Sequence, residues 1–310
     1  MQCTLFDSEL RQIGAKRRRT KGEIGVEAGL ERIESTILKV LDEENIRPDQ
    51  LAGIGIGCPG PVEWETGVVR IAVNLGWENV AVGQFLQEKL NCPVAVLNDV
   101  DAGVYGEHAA GAGKGSRSTF GLFPGTGIGG GCVYDGQILR GKVMSCMEVG
   151  HIKICGSERA GATGMTGTLE TESSRLAIAG ELAKLAFRGE APHLNEAVGT
   201  ELRSIRSKTI AEAIEKGDKE VEAVVEKACE MIGYAISNVV LMLCPDCIVL
   251  GGGLVEAMPD LFVKHVKRVA KEHVFECYRD EFEIKAAELG DDAATIGAAS
   301  WIKKVVTSNS

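Results

Sequence analysis

The sequence predicts an α/β protein built as two lobes, on three observations. Its 310 residues are enough for two sizeable cores. Its first third alternates short apolar runs with segments of helical period, the pattern of a parallel βα sheet. A glycine-rich linker, GAGKGSRS (111–118), then separates that pattern from an antiparallel meander and a run of helices.

Taken in order, CTLFDSELRQIGAKRRRT reads as a hairpin, with strand Cys3 to Phe6, a turn at DSE and strand Gln12 to Arg19. VEAGLERIESTILKVLDEENI spaces Ile33, Ile37, Leu38 and Leu41 along one helical face. A buried strand, Ile54 to Gly57, ends in a Pro-Gly turn. NVAVGQFLQEKLN (79–91) reads as the second helix and Pro93 to Leu97 as the next strand. TFGLFPGTGIGGGCVYDGQILRG (119–141) holds three short strands joined by glycine turns. A loop-rich stretch runs to about Gly167, and mostly helices follow, the longest from about Lys219 to Leu243. CIVLGGG (247–253) is a strand ending on glycines. A helix near Pro259 to Glu272, a strand in FEIKAAELG (282–290) and a helix in AATIGAASWIKKVV (293–306) complete the chain.

Composition excludes several functions. A net charge of −10 and an isoelectric point near 5.2 argue against a nucleic-acid partner. The KRRR run, Lys16 to Arg19, reads as a solvated strand end. No apolar run reaches the ~18 residues of a membrane span, and no signal-peptide pattern opens the chain. No membrane partner and a cytoplasmic location are therefore expected. There, the ten cysteines read as small buried apolar residues. CPDC, Cys244 to Cys247, has redox spacing, but it lies between a long helix and a strand, whereas a redox pair opens a helix after a strand.

Three stretches carry candidate chemistry. In VLNDVDAGVYGE (96–107) an apolar strand ends on Asn98 and Asp99. The pair reads either as a helix cap or as a catalytic base on a rigid strand end. GTGIGGG (125–131) contains G-x-G-x-x-G, but a strand follows it where a dinucleotide site needs a helix. This disfavours a nicotinamide dehydrogenase. What remains is either a tight hairpin without a ligand or a hairpin whose N–H groups and Thr126 hydroxyl cradle phosphate. MEVGHIKICGSERAGATGMTGTLE places Glu148, His151 and Glu170 in a polar, glycine-rich segment. Carboxylates and an imidazole suit a polyol, since each carboxylate accepts from two hydroxyls; they read equally as solvated loop charges.

LND (97–99), GTGIGGG (125–131), EVGH (148–151), GTLE (167–170) and IVLGGG (248–253) stand in the order seen in the ROK family, which the chain resembles over nearly its whole length. GIGCPGPVEWETGVV with NLGW, Gly55 to Trp77, and LGDDAATIGAA, Leu289 to Ala299, resemble its segments too. That family includes glucokinases, other hexose and N-acetylhexosamine kinases, and sugar-responsive repressors. The resemblance implies an α/β, two-lobed actin-like ATPase (ribonuclease H-like) fold, with lobes over 1–107 plus 291–310 and over 108–290. It implies ATP-dependent phosphorylation of a hexose with Mg²⁺ and a homodimer. By the same resemblance Asp99 matches the catalytic base, and Asn98, Glu148, His151 and Glu170 match sugar ligands, with Asn74 of NLGW joining them. Gly125, Thr126 and Gly127 match the phosphate loop, and Gly251 and Gly252 the adenosine segment.

Two departures from the family pattern stand out. Its zinc cysteines correspond here to Gly161, Thr163 and Thr168, with Cys155 out of register, so structural zinc is not expected. The family's opening strand, ending Asp-x-Gly-Gly-Thr, has no counterpart before MQCTLFD, which matches the next strand. Loss of an interior strand is expected to expose two unpaired ladders. The expectation is a truncated or misplaced start, or else a catalytically impaired sugar-binding sensor without a DNA-binding domain.

Overall fold

The computed structural model describes residues 1–161 and 163–308. The chain divides into two compact units: Met1–Gly115 with Gly136–Cys146 and the chain from Asp291 on, and Ser116–Asp135 with Met147–Gly290.

In the first unit, strands Gln2–Phe6 and Gln12–Arg17 form an antiparallel hairpin. Strand Ile54–Cys58 pairs in parallel with Val94–Asn98, with Cys58 opposite Asn98. These are two separate two-stranded sheets; among the described residues no strand joins them. Helix Val26–Glu43 buries Leu30, Val40 and Leu41, while Ile33 and Ile37 pack on the core from its edge. Leu38, expected on that face, is 38% exposed and lies off it.

The stretch read as a helix from Asn79 begins instead as strand Trp77–Ala81; the helix is Val82–Leu90. That strand completes a three-stranded antiparallel sheet with Val62–Glu63 and Val68–Ala72. Alternation puts Val69 and Val80 in the core as a cross-strand pair. This β pattern outweighs the helical period that continues downstream.

Helix Asp99–Ala110 grows straight from the tip of strand Val94–Asn98. Helix Ala293–Ser308 packs against it backbone to backbone. A Cβ on Gly297 would stand 1.7 Å from the Ala102 carbonyl oxygen, and one on Gly106 2.1 Å from that of Ala293. Only glycine admits this approach, which fixes the helix behind Asp99.

In the second unit the sheet runs in the order Ile128–Tyr134, Ser118–Pro124, Cys247–Leu250, Glu283–Ala286. The first two strands are antiparallel, and the last two run parallel to Ser118–Pro124. Helices Lys219–Leu243 and Pro259–Glu272 pack on one another, burying Ile232, Ile236, Phe262 and Val266. Among the described residues no helix is long and apolar enough to cross a membrane.

Candidate active site

In the first unit Asn98 is the N-cap of helix Asp99–Ala110: its Oδ1 accepts from the N–H groups of Val100 at 2.8 Å and Asp101 at 3.1 Å. Its Nδ2 donates to the Gly60 carbonyl at 3.0 Å, pinning the strand tip to the Pro-Gly turn. Asp99 is the first helical residue, and its Oδ1 accepts from the Val100 N–H at 3.0 Å. Asp99 therefore lies where the partial positive charge of the helix start is concentrated. Burial, with a smaller contribution from the Asp99 charge, pushes the Cys58 thiol up to about 12. Asn74 lies on the exposed 3₁₀ turn Val73–Leu75.

The same unit holds a half-buried feature that the sequence did not flag. The Arg140 guanidinium lies 4.5 Å from the Trp301 ring centre and 5.3 Å from that of Trp64. Burial lowers its pKa, and the Asp101 charge opposes that shift. Asp101, buried in the first helical turn after Asn98, lies with Arg140 and Ser145 around a recess too tight to admit water. No local motif signals the cluster, because its members meet only in the folded chain.

In the second unit the glycine hairpin, the EVGH turn and Glu170 come together. Gly125 N–H donates to the Gly127 carbonyl at 2.8 Å, closing the turn between the two strands. The Glu170 Oε2 accepts from the Ile128 N–H at 2.9 Å. A Cβ on Gly127 would stand 2.3 Å from that oxygen, so glycine is required for the carboxylate to reach the loop. The 3₁₀ turn Val149–His151 packs on strand Ile128–Tyr134. His151 Nδ1 lies 3.4 Å from Glu148 Oε2. The Gly251 N–H donates to the Leu122 carbonyl at 3.1 Å, and Gly252 lies against Pro124. The Gly251–Gly252 segment thus sits at the carboxyl end of the parallel strands, beside the 125–127 turn, where open α/β sheets take ligands.

Arg175 also reaches this loop. Its N–H donates to the Gly125 carbonyl at 2.9 Å and its Nη2 to Thr126 Oγ1 at 2.7 Å. Forty-nine residues separate Arg175 from Thr126, so sequence spacing gave no hint of the pair.

Backbone hydrogen bonds and an ion pair tie together the described residues of the 152–170 segment. Ile154 N–H donates to Gly167 O at 2.9 Å, Leu169 N–H to Ile152 O at 3.1 Å and Gly161 N–H to Met165 O at 2.9 Å. The Arg159 guanidinium pairs with Glu181 at 2.6 Å. Thr168 Oγ1 accepts from Thr171 N–H at 3.3 Å and so caps helix Leu169–Ser173, which carries Glu170. Among the described residues no group of three or more His, Cys, Asp or Glu side chains is placed to hold a metal ion.

Comparison with known proteins gives the family. A family model described as ROK family matches residues 1–305. A glucokinase of Halalkalibacterium halodurans is 34% identical over 258 residues, 82% of this chain and 76% of that protein. A xylose repressor of Caldicellulosiruptor bescii is 29% identical over 257 residues, 82% of this chain and 63% of the repressor. Among solved structures, a ROK family glucokinase from Streptomyces griseus in complex with glucose and AMPPNP aligns with a TM-score of 0.82. It is 23% identical, and the alignment covers 97% of this chain and 95% of that one. This likeness gives the fold, the two-lobed actin-like ATPase fold of ribonuclease H type. With the family model matched along almost its entire length, the chain belongs to the ROK family.

Proposed function

We propose that the chain phosphorylates a hexose hydroxyl at the expense of ATP, as a glucokinase-like enzyme. One observation carries this reading: the Glu170 carboxylate bonds to the first strand residue after the glycine hairpin, and Glu148 and His151 sit on the turn packed against the same strand. Groups suited to sugar hydroxyls therefore adjoin a loop suited to phosphate, the adjacency a sugar kinase requires. The glucokinase relatives support the same activity.

In this mechanism Asn74, Asn98, Glu148, His151 and Glu170 orient the sugar. Gly125, Thr126 and Gly127 receive the phosphates through backbone N–H groups and a hydroxyl, and Gly251 and Gly252 border the adenosine. Asp99 accepts the proton of the attacking hydroxyl as the oxygen–phosphorus bond forms and the bond to ADP breaks. Carboxylate orientation comes from the Asn98-capped helix start. Mg²⁺, when present on the nucleotide, offsets phosphate charge.

A coupled ADP-release assay over a panel of hexoses and N-acetylhexosamines tests the activity. In the responding sugar, Asp99→Asn is expected to lower kcat by about 10²–10⁴-fold. Sugar affinity by calorimetry should stay within about twofold of wild type, because the amide keeps the shape and the hydrogen-bonding capacity. Equal turnover in that variant would remove Asp99 as the base.

A second reading is a sugar-binding regulator with impaired catalysis. The two unjoined sheets of the first unit and the xylose-repressor relative favour it. It predicts saturable sugar binding with no ADP release from any sugar.

A further inference from the structure

The glycine hairpin 125–127 has no cation of its own, yet a triphosphate brings several negative charges. Arg175 stands where that charge is needed. It opens helix Arg175–Phe187, a thirteen-residue helix whose N-terminus carries partial positive charge. Its backbone N–H and its guanidinium both bond to the hairpin, at Gly125 and Thr126. The neighbouring Arg159 is engaged by Glu181 at 2.6 Å and lies 3.9 Å from Glu172. Among the described residues, by contrast, no carboxylate lies within 4.0 Å of the Arg175 guanidinium. One of its five N–H donors goes to Thr126, so the rest of the planar fork is available for oxyanions.

The bond to Thr126 has a direction. The threonine oxygen accepts from a cation, so its own O–H is polarised and turned to donate elsewhere. An oxygen anion accepting from the Thr126 hydroxyl would lie beside the guanidinium as well. Two donors, one charged and one sharpened by that charge, then converge on a single oxyanion.

We propose that Arg175 is the cation of the phosphate loop and, with the Thr126 hydroxyl, holds the terminal phosphate of a nucleoside triphosphate. This deepens the kinase reading and rests on it. During transfer the sugar oxygen forms its bond to phosphorus and the bond from phosphorus to the ADP oxygen breaks. The hydroxyl proton passes to Asp99. Arg175 exchanges no proton; it offsets charge on the equatorial oxygens as they pass from donor to acceptor.

The test combines kinetics with equilibrium binding of the full chain. Wild type, Arg175→Ala, Arg175→Lys and Thr126→Val are titrated with a non-hydrolysable β,γ-imido ATP analogue and with ADP. Alanine and lysine at 175 keep the backbone N–H that bonds to Gly125, so the loop retains that anchor; thermal unfolding of each variant verifies it. Arg175→Ala is expected to weaken the analogue by about ten- to a hundredfold and ADP by less than about twofold. Its kcat should fall by about 10²–10³-fold, the usual loss for one oxyanion donor, with the sugar KM unchanged. Arg175→Lys restores part of the loss as a point charge, and Thr126→Val weakens the analogue but not ADP. Equal weakening of the analogue and ADP, or unchanged analogue affinity with a lowered unfolding temperature, overturns the proposal in favour of a purely structural anchor. If wild type binds the analogue but phosphorylates no sugar, the kinase reading fails and the binding comparison still decides Arg175. A wild type that binds no triphosphate overturns both.

Discussion

At the residue scale, Asn98 and Asp99 show why neighbouring polar residues at a strand tip are ambiguous in sequence and separable in structure. Asn98 accepts two helix N–H groups and donates to the Gly60 carbonyl, so the capping function is its own. Asp99, one residue on, takes the Val100 N–H with one oxygen. The cap reading thus belongs to Asn98, which leaves Asp99 as the proposed base. Asn98→Ala is expected to cost about 1–2 kcal/mol in urea unfolding, since it removes the cap acceptor and leaves the Gly60 carbonyl without its donor. A cost below a few tenths of a kcal/mol would mean that solvent replaces the amide. Neither Arg175 nor Arg140 was legible in the same way. Their partners, Thr126 for the first and Trp64, Trp301 and Asp101 for the second, come from distant segments, and no local pattern of residue types marks such meetings.

At the element scale, CPDC gains a physical explanation that needs no redox chemistry. The long helix Lys219–Leu243 stops at Cys244, whose φ of 46° and ψ of 54° place it in the left-handed region. Pro245 then blocks helix continuation, as prolines just past a helix end commonly do. Cys247 begins the buried strand. Between them, Asp246 clamps the edge of the neighbouring strand: Oδ2 accepts from Arg117 N–H at 2.9 Å, and Oδ1 from the Ser118 N–H and hydroxyl at 2.6 and 2.5 Å. Cys244→Gly is expected to raise stability by about 0.5–1 kcal/mol, the left-handed strain relieved less the extra freedom of glycine in the unfolded chain. An unchanged or lowered unfolding midpoint would show that the thiol packs where it looks exposed. Asp246 supplies a pH signature. Burial pushes its carboxyl up, but the Ser118 hydroxyl and the N–H groups of Arg117 and Ser118 outweigh that and leave it below its ordinary value. A depressed folded pKa means stability that is present above the unfolded value, near 3.9, and lost as pH falls through the folded value. Asp246→Asn should therefore be destabilised by about 1–2 kcal/mol at pH 7, the modest range expected for a partly solvated carboxylate. The gap to wild type should close as pH drops below about 4. A gap independent of pH would assign the loss to shape rather than charge. The 152–170 loop makes a related point. The departure from the family's cysteines was legible in sequence, but not the Arg159–Glu181 pair or the Thr168 cap in that segment. These bonds depend on where the helix carrying Glu181 comes to rest.

At the scale of the whole molecule, the βα alternation and the glycine punctuation made the α/β class readable, because local period and turn chemistry decide both. The layout of the first unit was readable only as an expectation of two unpaired ladders, and the structure gives it concrete form. The hairpin Gln2–Phe6 with Gln12–Arg17 and the pair Ile54–Cys58 with Val94–Asn98 are distinct sheets, yet helix Ala293–Ser308 packs against strands of both. Among the described residues neither sheet gains a third strand, and the second of them ends in Asn98. Open ladders invite pairing, and a five-residue strand fused ahead of Met1 through a two-residue Asn-Gly turn matches Gln2–Phe6 in length. If that ladder accepts a strand, an alternating Val-Thr insert raises the thermal midpoint by several degrees, at about 2–4 °C per kcal/mol gained. The same fusion with proline at every second position cannot donate to the ladder and should leave the midpoint where it was. If pairing also steadies the strand end that bears Asn98 and Asp99, the Val-Thr fusion raises kcat without changing sugar affinity, whereas the proline version does neither. Identical midpoints for the two fusions would show that the ladder of Gln2–Phe6 is closed to a new strand, and the regulator reading would lose its structural support.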